Sequence, residues 1–180
     1  MRVIRGKLKS VRFNPPKGFP SRPTTDFAKE GLFNMLENQR SLINLNILDL
    51  CSGTGNITLE FASREAGFIT AVDKNFSCVR FVYNLAKQHN LLDEIQTYKS
   101  EAVKFLNKTE DRFDIIFTDP PFALSVHENI HKAVFERALL TLKGILIIEH
   151  GKETKLDHLE YFQYTRKYGN VCFSFFGAEN

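Results

Sequence analysis

Two short segments hold residue types at spacings that chemistry requires. Cys51-Ser52-Gly53-Thr54-Gly55-Asn56 follows directly on the apolar run NILDL and precedes a helical pattern that starts near Ile57. Glycine is needed where backbone turns sharply and a ligand must approach closely, and the first turn of a helix offers it free N–H groups. The dinucleotide fingerprint wants a third glycine three residues after Gly55, where this chain has Thr58, and the phosphate-binding lysine pattern is missing. The loop therefore fits a nucleoside better than a pyrophosphate. Asp73 follows the next apolar run, FITAV, and ends the second strand, while Asp49 lies at the end of the first. A carboxylate at the end of the second strand can accept both hydroxyls of a ribose lying across the first loop. S-adenosylmethionine has that ribose and no pyrophosphate. Ser100, Glu101 and Ala102 follow the third run, where they could meet its adenine.

The second reactive segment is Asp119-Pro120-Pro121-Phe122, directly after FDIIFT. Consecutive prolines fix the backbone and remove two donors, leaving the Asp119 carboxylate and the Pro120 carbonyl as acceptors on a rigid rim. An exocyclic amine of a base has two N–H donors and a lone pair delocalised into the ring. Two fixed acceptors can hold that amine and favour attack by nitrogen on an electrophilic methyl. A base stacked in a helix cannot reach such a rim, so it must be flipped out, with Phe122 offering a face to stack on. This chemistry leaves guanine and adenine equally possible.

The positioning elements follow from the pattern. NILDL, FITAV, IQTY, FDIIF and GILIIE are short apolar runs separated by helix-like stretches. That alternation predicts an α/β, Rossmann-like, doubly wound and mostly parallel sheet of seven strands. The last two strands, residues 161–166 and 171–176, have no helix between them and form a C-terminal β-hairpin. Ahead of the sheet, residues 2–13 read as one or two strands broken near Gly6. A proline-rich loop and a helix capped by Thr24 or Thr25 and running to about Leu36 come next. The expected division is a basic extension, residues 1–40, and a cofactor-binding domain, residues 41–180.

These residues resemble the amino-methyltransferases that carry an (Asp/Asn)-Pro-Pro-(Tyr/Phe) signature. Within that group the chain is similar to the small-subunit (16S) ribosomal RNA guanine-N2 methyltransferase family. The likeness covers MRVIRGKLKS, SRPTTDFAKEGLFNML, DLCSGTGNITLEFASR and FTDPPF. Arg22-Pro23-Thr24-Thr25-Asp26 and the following helix discriminate most, because the other motifs are widely shared. The resemblance implies that Asp49, Ser52, Gly53 and Gly55 surround the methionine part of S-adenosylmethionine and that Asp73 holds its ribose. Glu101 and Ala102 would lie near the adenine, and Asp119, Pro120, Pro121 and Phe122 would receive guanine. The chain departs from the family at Arg5-Gly6, where two glycines are usual, and at Glu101, where Asp or Asn is common.

Composition bounds the partners. The chain has 180 residues, 43% hydrophobic and 25% charged, with a net charge of +3. Arg2, Arg5, Lys7, Lys9, Arg12, Lys17 and Arg22 fall in residues 1–25 without one acidic residue, so the rest of the chain is net acidic. Interleaved Val3, Ile4, Leu8, Val11 and Phe13 favour a folded arm that contacts RNA phosphates over a merely solvated tail. The expected partner is 16S rRNA or the small ribosomal subunit, bound by a monomer. No run is long and apolar enough for a membrane span, and the N-terminus lacks a signal-peptide pattern. Three well-separated cysteines suit reduced thiols, and a cytoplasmic location is expected. His127-Glu128-Asn129-Ile130-His131 matches a zinc-protease pattern, but no third ligand follows, so no metal is expected. A zinc metalloprotease and a non-catalytic RNA-binding module are the rival classes, and an adenine-N6 methyltransferase acting on DNA or RNA is the rival among enzymes of the same chemistry.

Overall fold

A computed structural model describes residues 1–20, 24–120 and 124–177. The five apolar runs become parallel strands: β1 (Asn46–Leu50), β2 (Phe68–Asp73), β3 (Ile95–Lys99), β4 (Phe113–Thr118) and β5 (Leu140–Gly151). Crossovers place α2 (Asn56–Ser63), α3 (Phe76–Gln88), α4 (Ala102–Leu106) and α5 (Leu124–Glu136) between them. β6 (Phe162–Tyr168) and β7 (Val171–Phe176) form the expected hairpin, turning at Gly169 with φ 66°. The sheet order is β3-β2-β1-β4-β5-β7-β6, and β7 runs antiparallel to both neighbours.

Two cores follow from strands covered on both faces. On one face Ile47, Ile69, Phe117 and Ile147 pack with Leu32, Phe33, Phe61 and Val82. On the other, Leu48, Val72, Ile116 and Ile148 pack with Leu106, Ile130 and Val134. The chain winds outward in opposite directions from β1 and β4. The crevice of such a sheet opens at the carboxyl ends of those two strands.

The amino-terminal segment differs from expectation. Residues 2–13 form no strands; a single antiparallel bridge joins Arg2 and Arg12. The cause lies on α2. Buried Glu60 accepts hydrogen bonds from the Ile4 and Arg5 amides, and Ser63 accepts from the Lys7 and Leu8 amides. Donors that a strand partner would have used are thus taken by a helix. Gly6, with φ 89°, permits the approach: a Cβ there would lie 1.8 Å from the Ser63 carbonyl oxygen. Val3 and Phe13 enter the same core as α1 (Asp26–Gln39) and the sheet. Helix α1 begins as anticipated, with the Thr25 side chain accepting from the Ala28 amide.

Candidate active site

Strand parity brings the acids together. Ile47, Ile69, Phe117 and Ile147 share one face of the sheet. Asp49, Asp73, Asp119 and Glu149 each stand an even number of residues further on, so all four occupy that face at its carboxyl end. Thr118 pairs with Ile148, so Asp119 and Glu149 come next on adjacent parallel strands.

The loop after β1 is shaped by its glycines. Cys51, Gly53 and Gly55 all have positive φ. The Ser52 amide donates to the Val72 carbonyl at 2.9 Å, and the Gly55 amide donates to the Ser52 carbonyl at 2.8 Å. A Cβ on Gly55 would sit 2.9 Å from Val82 Cγ2, so helix α3 leaves no space for a side chain. Asp73 is oriented by the Gly53 amide at 2.9 Å on one oxygen and the Asn75 amide at 2.8 Å on the other. Each oxygen keeps a lone pair for a further donor. The Ser100 amide donates to the Asp73 carbonyl, bringing the end of β3 beside β2. Glu101 is the exposed N-cap residue of α4, and Ala102 is its first, half-buried residue.

Asp49 and Glu149 are almost fully buried. Burial pushes Asp49 up to about 7; a hydrogen bond from Thr58 opposes that shift, and the charges of Asp73 and Asp119 add to it. Burial likewise raises Asp119 to about 6. Glu149 rises to about 8, chiefly through burial and then through the neighbouring Asp119 charge, with the Thr24 hydrogen bond opposing. Repelling, desolvated carboxylates lower the free energy of any cation placed among them.

Glu149 was hidden in the sequence at the end of GILIIE, where it reads as the polar stop of a buried strand. Thr24 Oγ1 lies 2.7 Å from Glu149 Oε2, and the Thr24 carbonyl accepts from Asn56 Nδ2 at 2.9 Å. Thr24, just before α1, therefore joins the start of α2, behind the glycine loop, to the end of β5. Pro120 is buried; Pro121, Phe122 and Arg22 lie outside the described residues.

The basic arm is partly committed to intramolecular pairs: Arg2 with Asp26, Arg5 with Glu37 and Lys7 with Glu94. Lys9 and Arg12 are exposed and have no ion-pair partner among the described residues. His127 and His131 do share α5, but they point inward instead of lying on a surface turn. His131 packs against Phe135 and Phe176 with ring centroids 4.7 and 5.0 Å apart, and its Nε2 is 2.8 Å from the Glu160 carbonyl. No group of three metal-ligating side chains occurs among the described residues. No helix among them is long and apolar enough to cross a membrane.

A family model described as conserved hypothetical protein 95 matches residues 1–177. YlbH of Bacillus subtilis (strain 168), provisionally named an rRNA methyltransferase, is 31% identical over 163 residues, covering 87% of this chain and 85% of that protein. Ribosomal RNA small subunit methyltransferase D of Escherichia coli (strain K12) is 27% identical over 157 residues, covering 87% and 77%. Among solved structures, yhhF of Escherichia coli, provisionally named a methyltransferase, superposes with a TM-score of 0.86 at 21% identity, over 98% of this chain and 96% of that one. The Thermus thermophilus 16S rRNA N2 G1207 methyltransferase (RsmC), solved with AdoMet and guanosine, gives 0.73 at 24% identity, over 90% of this chain and 46% of that one. At those identities the structural likeness establishes the methyltransferase fold.

Proposed function

The chain belongs to the conserved hypothetical protein 95 family, and from that premise we propose that it transfers a methyl group from S-adenosylmethionine to the exocyclic N2 amine of a guanine in small-subunit ribosomal RNA. The observation that carries the reading is the row of acids on one face: Asp73 and Asp49 beside the glycine loop, Asp119 next to them on β4. The names of the relatives supply the class of RNA.

The residues present fit the cofactor. Gly53 and Gly55 leave an uncluttered backbone cradle, Ser52 and Asp49 line its methionine end, and Asp73 holds free lone pairs for the ribose. Glu101 and Ala102 would border the adenine. Bound S-adenosylmethionine supplies an electrophilic methyl on a cationic sulfur. Asp119 and the Pro120 carbonyl hold the two amine hydrogens and turn the nitrogen toward that methyl. With that group bound, Asp119 would stabilise the positive charge developing on the amine nitrogen and would accept the proton it sheds. The decisive assay supplies labelled methyl donor to small ribosomal subunits from cells lacking this gene, then maps the product by nucleoside analysis and primer extension. N2-methylguanosine at one position supports the reading; label only on adenine, or none, refutes it.

The raised carboxylates give a pH dependence with a defined sign. A cation among them favours their ionised forms, so binding should release protons. Affinity for S-adenosylmethionine is therefore expected to rise as pH increases through about 6 to 8, the range of the Asp119, Asp49 and Glu149 shifts. S-adenosylhomocysteine, without the sulfonium charge, should show a shallower slope. Calorimetry in buffers of different ionisation enthalpy measures both.

We place RNA contact on the basic arm, proposed to include Arg2, Arg5, Lys7, Lys9, Arg12 and Arg22. Exposed ion pairs contribute little, so those of Arg2, Arg5 and Lys7 can be exchanged for phosphates. Neutralising Lys9 and Arg12 together should reduce the slope of log affinity against log salt by about 1–2 while sparing cofactor binding. Filter binding across a salt series checks this.

A further inference from the structure

Glu149 stands beside Asp119 with one oxygen engaged and one free. Its side chain is 6% exposed. Oε2 is fixed at 2.7 Å by Thr24 Oγ1, and Oε1 has no hydrogen-bond partner among the described residues. Oε1 is not among the buried polar atoms left without a partner, so it reaches the open crevice and can accept from a donor that enters there. Placement narrows that donor. The residue next to Glu149, one position past the end of β4, is Asp119, the proposed acceptor for the exocyclic amine. With an amine held at Asp119, an acceptor one strand away would meet the neighbouring atom of the base edge.

Resting on the guanine reading above, we propose that Glu149 is a specificity-determining residue whose Oε1 accepts a hydrogen bond from the ring N1–H of the target guanine, and that Thr24 locks it in that orientation. Guanine presents N1–H and N2–H₂ side by side, three donors against the acceptors of Asp119, Pro120 and Glu149. Adenine presents a bare N1, itself an acceptor, beside its amine. Placing it here would oppose two acceptors and leave both unpaired.

The selection does not depend on the ionisation of Glu149. When the carboxylate is charged, Thr24 donates to Oε2 and Oε1 accepts. When it is neutral, its proton sits on Oε2 and is donated to the Thr24 oxygen, and Oε1 remains a carbonyl acceptor. The hydroxyl of Thr24 serves both states because it can donate or accept. Asn56 fixes Thr24 in turn, so the reading group is held from the cofactor loop.

The test uses 2-aminopurine, which keeps the exocyclic N2 amine of guanine but has no hydrogen on N1. Small subunits reconstituted with guanine or 2-aminopurine at the mapped position are methylated by the parent, Glu149→Ala, Glu149→Gln and Thr24→Val, with cofactor affinity measured for each. The parent is expected to favour guanine by ~10²-fold or more, since a site built around a donor rejects the analogue lacking it. Glu149→Ala should slow guanine far more than 2-aminopurine, bringing the ratio toward one. Glu149→Gln, whose amide can donate to Thr24 and leave its oxygen toward the base, should retain most of the preference. Thr24→Val should lose ~10-fold of it and decides the matter if the alanine variant does not fold. An unchanged ratio in a cofactor-binding Glu149→Ala or Thr24→Val protein overturns this inference alone. A parent that methylates no guanine in the subunit overturns the functional reading and this inference with it.

Discussion

Asp119→Ala is expected to slow methyl transfer to small ribosomal subunits by ~10²–10³-fold while leaving cofactor affinity within a few-fold of the parent. Deleting an interaction that strengthens in the transition state typically costs that much in rate. On the proposed function, the substitution removes both the charge that would stabilise cationic nitrogen and one of the two fixed acceptors that would hold the amine. Cofactor binding should survive because Asp73 is oriented by the Gly53 and Asn75 amides, independently of β4. Asp119→Asn separates the two contributions, since it keeps an acceptor oxygen without charge and should fall between parent and alanine. Single-turnover transfer at saturating cofactor is the measurement. A folded alanine variant working at the parental rate would remove Asp119 from the chemistry.

Glu60→Ala is expected to destabilise the protein by about 3–5 kcal/mol, the cost of stranding a buried opposite charge. Glu60 and Lys29 are both fully buried, with Nζ 3.0 Å from the carboxylate, and Arg64 contacts the other oxygen. Burial lowers the Lys29 ammonium to about 8, still protonated at neutral pH. Lys29 also donates to the Arg2 carbonyl at 2.6 Å and to Asn56 Oδ1 at 2.7 Å. Removing Glu60 leaves this cation uncompensated and frees the Ile4 and Arg5 amides together. At about 2–4 °C per kcal/mol for a chain of this size, the midpoint should drop by roughly 6–20 °C. Thermal unfolding by circular dichroism will show it, and a loss under 1 kcal/mol would mean that the network is not what fixes the arm. Combining Lys29→Met with Glu60→Ala should cost less than the two single effects added, because no buried charge is then orphaned.

Much of the fold could be read from local pattern. NILDL, FITAV and FDIIF are continuous apolar runs because their strands are covered on both faces, and the glycine loop and Asp119 follow their ends as the chemistry demanded. The arm could not be read in this way. Its alternating residues suit a strand, yet Glu60 lies more than fifty positions away on a helix, and no local signal says that a carboxylate there will take two amides. Glu149 illustrates the same limit. A glutamate ending an apolar run is an ordinary strand terminus until the sheet order puts it beside Asp119. The histidines at 127 and 131 show the converse: spacing put them correctly on one helical face but could not tell that the face turns toward the core.

The position of β7 has a consequence for synthesis. Strand β7, the last in order among the described residues, lies between β5 and β6, an interior slot. Until residues 171–176 leave the ribosomal tunnel, the outer edge of β5, with Leu146, Ile147 and Ile148, offers unpaired amides and carbonyls to any extended chain nearby. The nascent protein therefore passes through a stage in which β5 and β6 are made, β7 is not yet available, and an apolar edge stands open. An open apolar edge of this kind is the feature that makes partly folded chains prone to aggregate.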